Sequence, residues 1–172
     1  KSIGDLLKAN LAVGVNVSLV QPPQAGGPAF LDGDFDNGII AHEYGHGISN
    51  RLTGGPSNTG CLGNPEQMGE GWSDWFSLIM TAEPGDFGTQ KRGVGTYVLT
   101  EPTTGVGIRR YPYSTDMTVN PLTFSSVALS TEVHDLGEIW TAVTWDLYWA
   151  MVDKYGSGAD ITNTTSGNGR AI

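Results

Sequence analysis

Basic residues are scarce in this chain. Only 9 lysines and arginines stand against 18 aspartates and glutamates in 172 residues, a formal net charge of −9. With no basic run or stripe, neither a nucleic-acid surface nor attraction to an anionic bilayer is expected. No apolar stretch approaches the ~20 residues that span a membrane. Cysteine is nearly absent: Cys61 stands alone, so no disulfide can close within the chain, and cysteine usage does not settle the redox compartment. Histidine is almost as rare, with three in all, which makes the position of each informative. Glycine, at 25 residues, is plentiful, as is common in secreted, loop-rich proteins. The length suffices for one domain with a real core, or for half of a larger one. The opening Lys1-Ser2-Ile3-Gly4-Asp5 lacks Met, and the next apolar stretches are too broken by Asn10, Gly14 and Asn16 for a signal peptide. A processed product or a piece of a longer polypeptide is expected.

Two of the three histidines fall in His42-Glu43-Tyr44-Gly45-His46, an H-E-x-x-H pattern inside an apolar-flanked segment. On a helix, residues four apart share a face, so His42 and His46 can grip one metal ion from one side. Glu43, one residue further round, can reach a water on that metal without being a ligand. That is the arrangement of zinc hydrolases, and one Zn2+ per chain is expected.

The surrounding pattern predicts mainly helical, α+β structure. Leu11, Val13, Val15, Val17 and Leu19 alternate, which predicts a strand over 11–20. The Pro- and Gly-rich residues 21–28 read as a loop. Asp32, Asp34 and Asp36 look like the start of a calcium loop, but Asn37 replaces the glycine an EF-hand needs. A cap from Asp36 or Asn37 to the active-site helix is the better reading, with a Ca2+ site of another kind left open. The helices are expected at about 38–52, 65–82 and 131–155. The second is marked by Met68, Trp72, Trp75, Phe76, Ile79 and Met80, and the third by Leu136, Ile139, Trp140, Val143, Leu147 and Met151. Trp140, Trp145, Tyr148 and Trp149 read as core and interface. A short strand is expected at 96–100. Asn16 and Asn163 begin acceptor patterns for N-glycosylation, a short motif that chance supplies readily.

Two histidines leave a zinc site one protein ligand short. The third histidine of H-E-x-x-H-x-x-G-x-x-H is ruled out by Ser49 and Leu52. A glutamate from a following helix is the other solution, and Glu66, Glu70 and Glu83 are available. Glu70 is preferred because Asp74 follows one turn later, where it can hydrogen-bond the far nitrogen of a zinc histidine and fix its tautomer. Glu66, one turn earlier, is the runner-up.

The run His42-Glu43-Tyr44-Gly45-His46-Gly47-Ile48-Ser49-Asn50-Arg51-Leu52-Thr53-Gly54-Gly55-Pro56, followed by Met68-Gly69-Glu70-Gly71-Trp72-Ser73-Asp74, resembles the fungalysin metallopeptidases, relatives of thermolysin with two histidines and one glutamate on zinc. The likeness extends to residues with no metal role, is close over 32–82 and weaker over 108–150. It implies a zincin-like fold, with an active-site helix and a following helical subdomain. Residues 1–172 would then be the C-terminal portion of a longer catalytic domain, with strand and active-site helix in 1–53 and a helical part in 54–172. It implies a secreted endopeptidase made with a propeptide and acting on protein or peptide substrates, with Glu43 as general base. A thermolysin-like Val-His segment matches Val133-His134, although its glycine, Gly137, comes one residue early. The resemblance assigns His134 the donor to the tetrahedral intermediate. Glu132 or Glu138 would orient that ring, Tyr111 or Tyr113 could add a donor, and Arg109 or Arg110 could bind a substrate carbonyl. Gly69 stands where thermolysin has an asparagine supporting its second zinc histidine, which leaves His46 without an identified partner. The competing reading is an inactive or incomplete zincin-fold fragment acting as a binding module.

Overall fold

The computed structural model describes residues 31–65 and 68–156. The expected 11–20 strand, Glu66 and the two glycosylation patterns lie outside them. Helix α1 spans Asn37–Gly54, α2 Gly69–Met80 and α3 Val133–Tyr155. Short 3-10 turns occupy Gly33–Phe35 and Phe124–Leu129. Helix α2 lies between the other two and packs on both. No helix among the described residues is long and apolar enough to cross a membrane.

The acidic run before α1 caps helices. Asp32 accepts from the Asp34 N–H at 3.0 Å, and Asp36 Oδ1 accepts from Gly38 N at 2.8 Å and Ile39 N at 3.1 Å. These N–H groups would otherwise be orphaned at the helix start. The other oxygen of Asp36 reaches across the chain to the N–H groups of Tyr97 and Val98, at 3.0 and 3.3 Å. That contact explains a departure from expectation. Residues 96–100 form a turn and no strand, because two of the N–H groups a strand would pair are held by Asp36. Among the described residues, extended pairing is limited to single bridges, Arg92 with Tyr113 and Val94 with Gly107.

The core gathers Leu78 and Ile79 of α2, Val94 and Tyr113 of the long loop, and Trp145, Tyr148, Trp149 and Val152 of α3. Trp145 stacks on Tyr148 at 5.1 Å, and Trp149 meets both rings edge-on. Burying each such ring contributes about 2–3 kcal/mol. The buried stripe of α3 is rotated from the expected one. Val143 and Leu147 are 50% and 61% exposed, while Thr141 is fully buried and donates to the Gly71 carbonyl at 2.8 Å. The cause is the α2–α3 contact, which is made by glycine backbone. A Cβ on Gly71 would stand 2.6 Å from the Gly137 carbonyl oxygen, and one on Gly137 2.7 Å from the Gly71 nitrogen. On the opposite side of α2, a Cβ on Gly45 of α1 would lie 2.9 Å from Ser73 Cα. The two contacts set both neighbours of α2 at close range, at the level of Glu70 and Asp74.

Candidate active site

His42 and His46 sit one turn apart on α1, and their Nε2 atoms are 3.1 Å from each other. Glu70, in the first turn of α2, completes the group. Its Oε2 is 3.2 Å from His42 Nε2 and its Oε1 is 3.4 Å from His46 Nε2. One donor atom from each of the three falls within 4.8 Å of the others. For a tetrahedral ion bound at zinc–nitrogen distance, neighbouring donors stand about 3.3 Å apart. The separations of 3.1 to 3.4 Å match that edge, and two imidazoles with one carboxylate are a donor set suited to zinc. These residues therefore fit the ion.

The far nitrogen of His42 is held by Asp74. Nδ1 lies 2.7 Å from Asp74 Oδ1, and a carboxylate can only accept, so Nδ1 carries the proton and Nε2 faces Glu70 and His46. Asp74 is itself enclosed. Arg109 grips it at both oxygens, Nε to Oδ2 at 2.7 Å and Nη2 to Oδ1 at 2.8 Å, and the Tyr113 hydroxyl donates to Oδ2. The tyrosine contact is buried and the arginine contacts are partly so, and charge-assisted bonds strengthen as water is excluded.

The electrostatics follow from this packing. Burial disfavours a charged His42, yet the Asp74 and Glu70 carboxylates outweigh it and push its pKa up to about 9. The same negative field favours a cation among the donors. Burial also works against ionised Asp74, but His42 and Arg109 hold its pKa down to about 2. Glu70 is likewise partly desolvated, and the two histidines keep its carboxyl well below the usual carboxylate range. Burial and the Asp74 charge push the Tyr113 phenol well above 10.

His134, at the start of α3, is 51% exposed on its side chain, with Nε2 3.6 Å from Glu70 Oε2. Its Nδ1 lies 2.6 Å from Glu132 Oε1. Glu132 is also the N-cap of α3, its Oε2 accepting from the backbone of His134 and Asp135. Of the two carboxylates proposed from sequence to orient this ring, Glu132 touches it. Glu138 instead pairs with Arg110. Glu43 follows His42 on α1 and is partly exposed.

The structure thus brings together His42, His46, Glu70, Asp74 and His134. It gives different work to other expected residues. Tyr113 is 1% exposed and engaged with Asp74, so it is not a cleft donor; Tyr111 is at the surface. Arg109 and Arg110 both turn to helix carboxylates. The Arg109–Asp74 and Arg110–Glu138 pairs join residues 35 and 28 apart in sequence. The only local hint of either was an adjacent arginine pair in a loop.

Two histidines from one helix and a glutamate from the next define a metal-site class shared by several peptidases. Membership is narrower than that: the sequence model of the fungalysin metallopeptidases (M36) matches residues 27–172, and the chain belongs to that family. Over 129 residues it is 43% identical to the extracellular metalloproteinase MEP of Neosartorya fischeri, covering 74% of this chain and 20% of that protein. It is 44% identical over 133 residues to extracellular metalloproteinase 4 of Trichophyton soudanense, covering 76% of this chain and 33% of that protein. The extracellular metalloproteinase of Pyrenophora tritici-repentis is 42% identical over 133 residues, with 76% and 20% covered. The chain spans about a fifth to a third of the length of these relatives.

Proposed function

We propose that this chain carries the catalytic centre of a secreted zinc endopeptidase that cleaves protein or peptide substrates and is made with a propeptide. It would form the C-terminal portion of an α+β, zincin-like catalytic domain. The observation that carries the reading is the convergence of His42, His46 and Glu70, with Glu43 beside them on α1. The extracellular relatives support secretion.

In this reading His42, His46 and Glu70 hold the zinc, and Asp74 fixes the His42 ring so that Nε2 faces the ion. The ion supplies Lewis-acid polarisation of the scissile carbonyl and an acidified water. The Glu43 carboxylate takes the proton of the attacking water and passes it to the leaving amine. His134 donates from Nε2 to the oxygen on which negative charge develops. Glu132, 2.6 Å from Nδ1, orients the ring for that role.

The test is zinc content of the purified full-length protein, wild type beside Glu70→Gln, followed by casein digestion with Glu43→Gln. One zinc per chain, lost with Glu70→Gln, and digestion lost with Glu43→Gln while zinc stays, support the reading. No zinc in the wild type overturns it in favour of an inert binding module.

A further inference from the structure

Arg109 and Arg110 are adjacent in sequence and reach to different helices. Arg109 is fastened to Asp74 on α2. Arg110 is fastened to α3 by four contacts. Its backbone N–H donates to Glu138 Oε1 and its Nε to Glu138 Oε2 at 2.7 Å. Its Nη2 donates to the Asp135 carbonyl at 2.9 Å, and Nη1 lies 3.2 Å from Asp135 Oδ2. Glu138 is 3% exposed and sits one helical turn after His134, on the same side of α3. The hydrolytic steps assigned to Glu43 and His134 use neither Arg110 nor Glu138. A buried carboxylate carries a desolvation penalty that an apolar residue would avoid, and here both its oxygens are given to a single loop residue. That loop residue adjoins the arginine that locks Asp74. The first turn of α3 is therefore gripped from both ends, by Glu132 capping it and by Arg110 tying Glu138 and Asp135 to the loop.

We propose that Glu138, acting through Arg110, is a positioning residue for His134: the arginine pair straps the start of α3 to the Asp74 side of the site and fixes how far His134 stands from Glu70. The inference rests on the peptidase reading for its kinetic consequence, while the strap itself is a statement about the fold. Glu138→Gln is the sharp probe. It keeps the shape and one acceptor for the Arg110 N–H, but it removes the charge and turns an amide toward the guanidinium.

The experiment uses the full-length protein with Glu138→Gln, His134→Ala and the double variant. Loosening a positioned donor, with the zinc donors untouched, should lower kcat on a peptide substrate about 10-fold with KM and the zinc dissociation constant within about 2-fold of wild type. In the His134→Ala background, Glu138→Gln should lower kcat no further, because its effect passes through that ring. In chelator-treated protein, backbone hydrogen exchange should quicken across 134–138 and stay unchanged across 70–78. Arg110→Lys, which keeps the charge and the backbone bond but loses the fork, should give the same pattern at smaller size and stands in if Glu138→Gln fails to fold. An equal fall in both backgrounds, or a fall in zinc affinity in step with kcat, would make Glu138 an ordinary packing residue and overturn the proposal. If the wild type neither binds zinc nor cleaves peptides, the peptidase reading fails by itself. The exchange result then decides the strap: unaltered rates across 134–138 overturn it, and quickened rates sustain it.

Discussion

His42 and Asp74 are joined by a 2.7 Å hydrogen bond between Nδ1 and Oδ1, 32 residues apart in sequence and both buried. The bond chooses which imidazole nitrogen faces Glu70 and His46. Asp74→Asn should weaken zinc binding by about 10- to 100-fold, since an amide orients the ring less firmly and lowers its basicity. Competition against a chromophoric chelator measures this directly, and an unchanged affinity would refute the orienting role.

The same aspartate makes a pH prediction. Its folded-state pKa is depressed to about 2 against about 3.9 in an unfolded chain. A depressed carboxylate stabilises the fold above its unfolded pKa and loses that contribution as pH falls through the folded value. Asp74 should therefore contribute about 2–3 kcal/mol at neutral pH, lost between roughly pH 4 and pH 2. Urea midpoints taken across that window in chelator should fall for wild type more steeply than for Asp74→Asn. Parallel curves would count against it.

Glu43→Gln should leave zinc content intact and reduce peptide hydrolysis by about 10²- to 10⁴-fold. Zinc analysis and casein digestion on the same preparation separate the two effects. Loss of zinc in this variant would mean that Glu43 is a ligand.

His134→Ala should lower kcat by about 10²- to 10³-fold with little change in zinc affinity. Glu132→Gln should give a smaller loss of kcat together with a small loss of stability, about 1 kcal/mol, because the same side chain caps α3. Steady-state kinetics and thermal melting on both variants test the dual role.

Gly71→Ala should destabilise the protein by about 1–3 kcal/mol. The added Cβ would lie 2.6 Å from a carbonyl oxygen of α3, and backbone cannot move aside as a flexible side chain can. The measurement is a urea midpoint at neutral pH, and a neutral result would show that the two helices have slack.

What could be read from the sequence divides by range. The His42–His46 pairing is set by one helical turn, so spacing alone exposed it. Glu70 with Asp74 was readable for the same reason, once two histidines left a ligand missing. The Asp36 cap was equally local. Arg109, Arg110 and Tyr113 were visible only as residues with several possible uses, because their partners arrive through tertiary packing. The rotated stripe of α3 was hidden for a related reason. Val143 and Leu147 fit a 3.6-residue period as well as Thr141 and Trp145 do, and only the glycine contact with α2 decides which face turns inward. The 96–100 segment has strand-forming residues, but a distant carboxylate claims its N–H groups.

Helix α2 has only 12 residues, yet it presents Glu70 at one end and the core residues Leu78 and Ile79 near the other. In the proposed zinc reading, metal capture and folding are consequently one equilibrium seen from two sides. A cation that prefers the assembled donors adds RT ln(1 + [M]/Kd) to the stability of the fold, about 4 kcal/mol at a thousandfold excess over Kd. Chelation should accordingly act as a thermal destabiliser well before it is noticed as a loss of turnover, and zinc held in excess should slow the molecule's own degradation by keeping cleavable backbone out of reach.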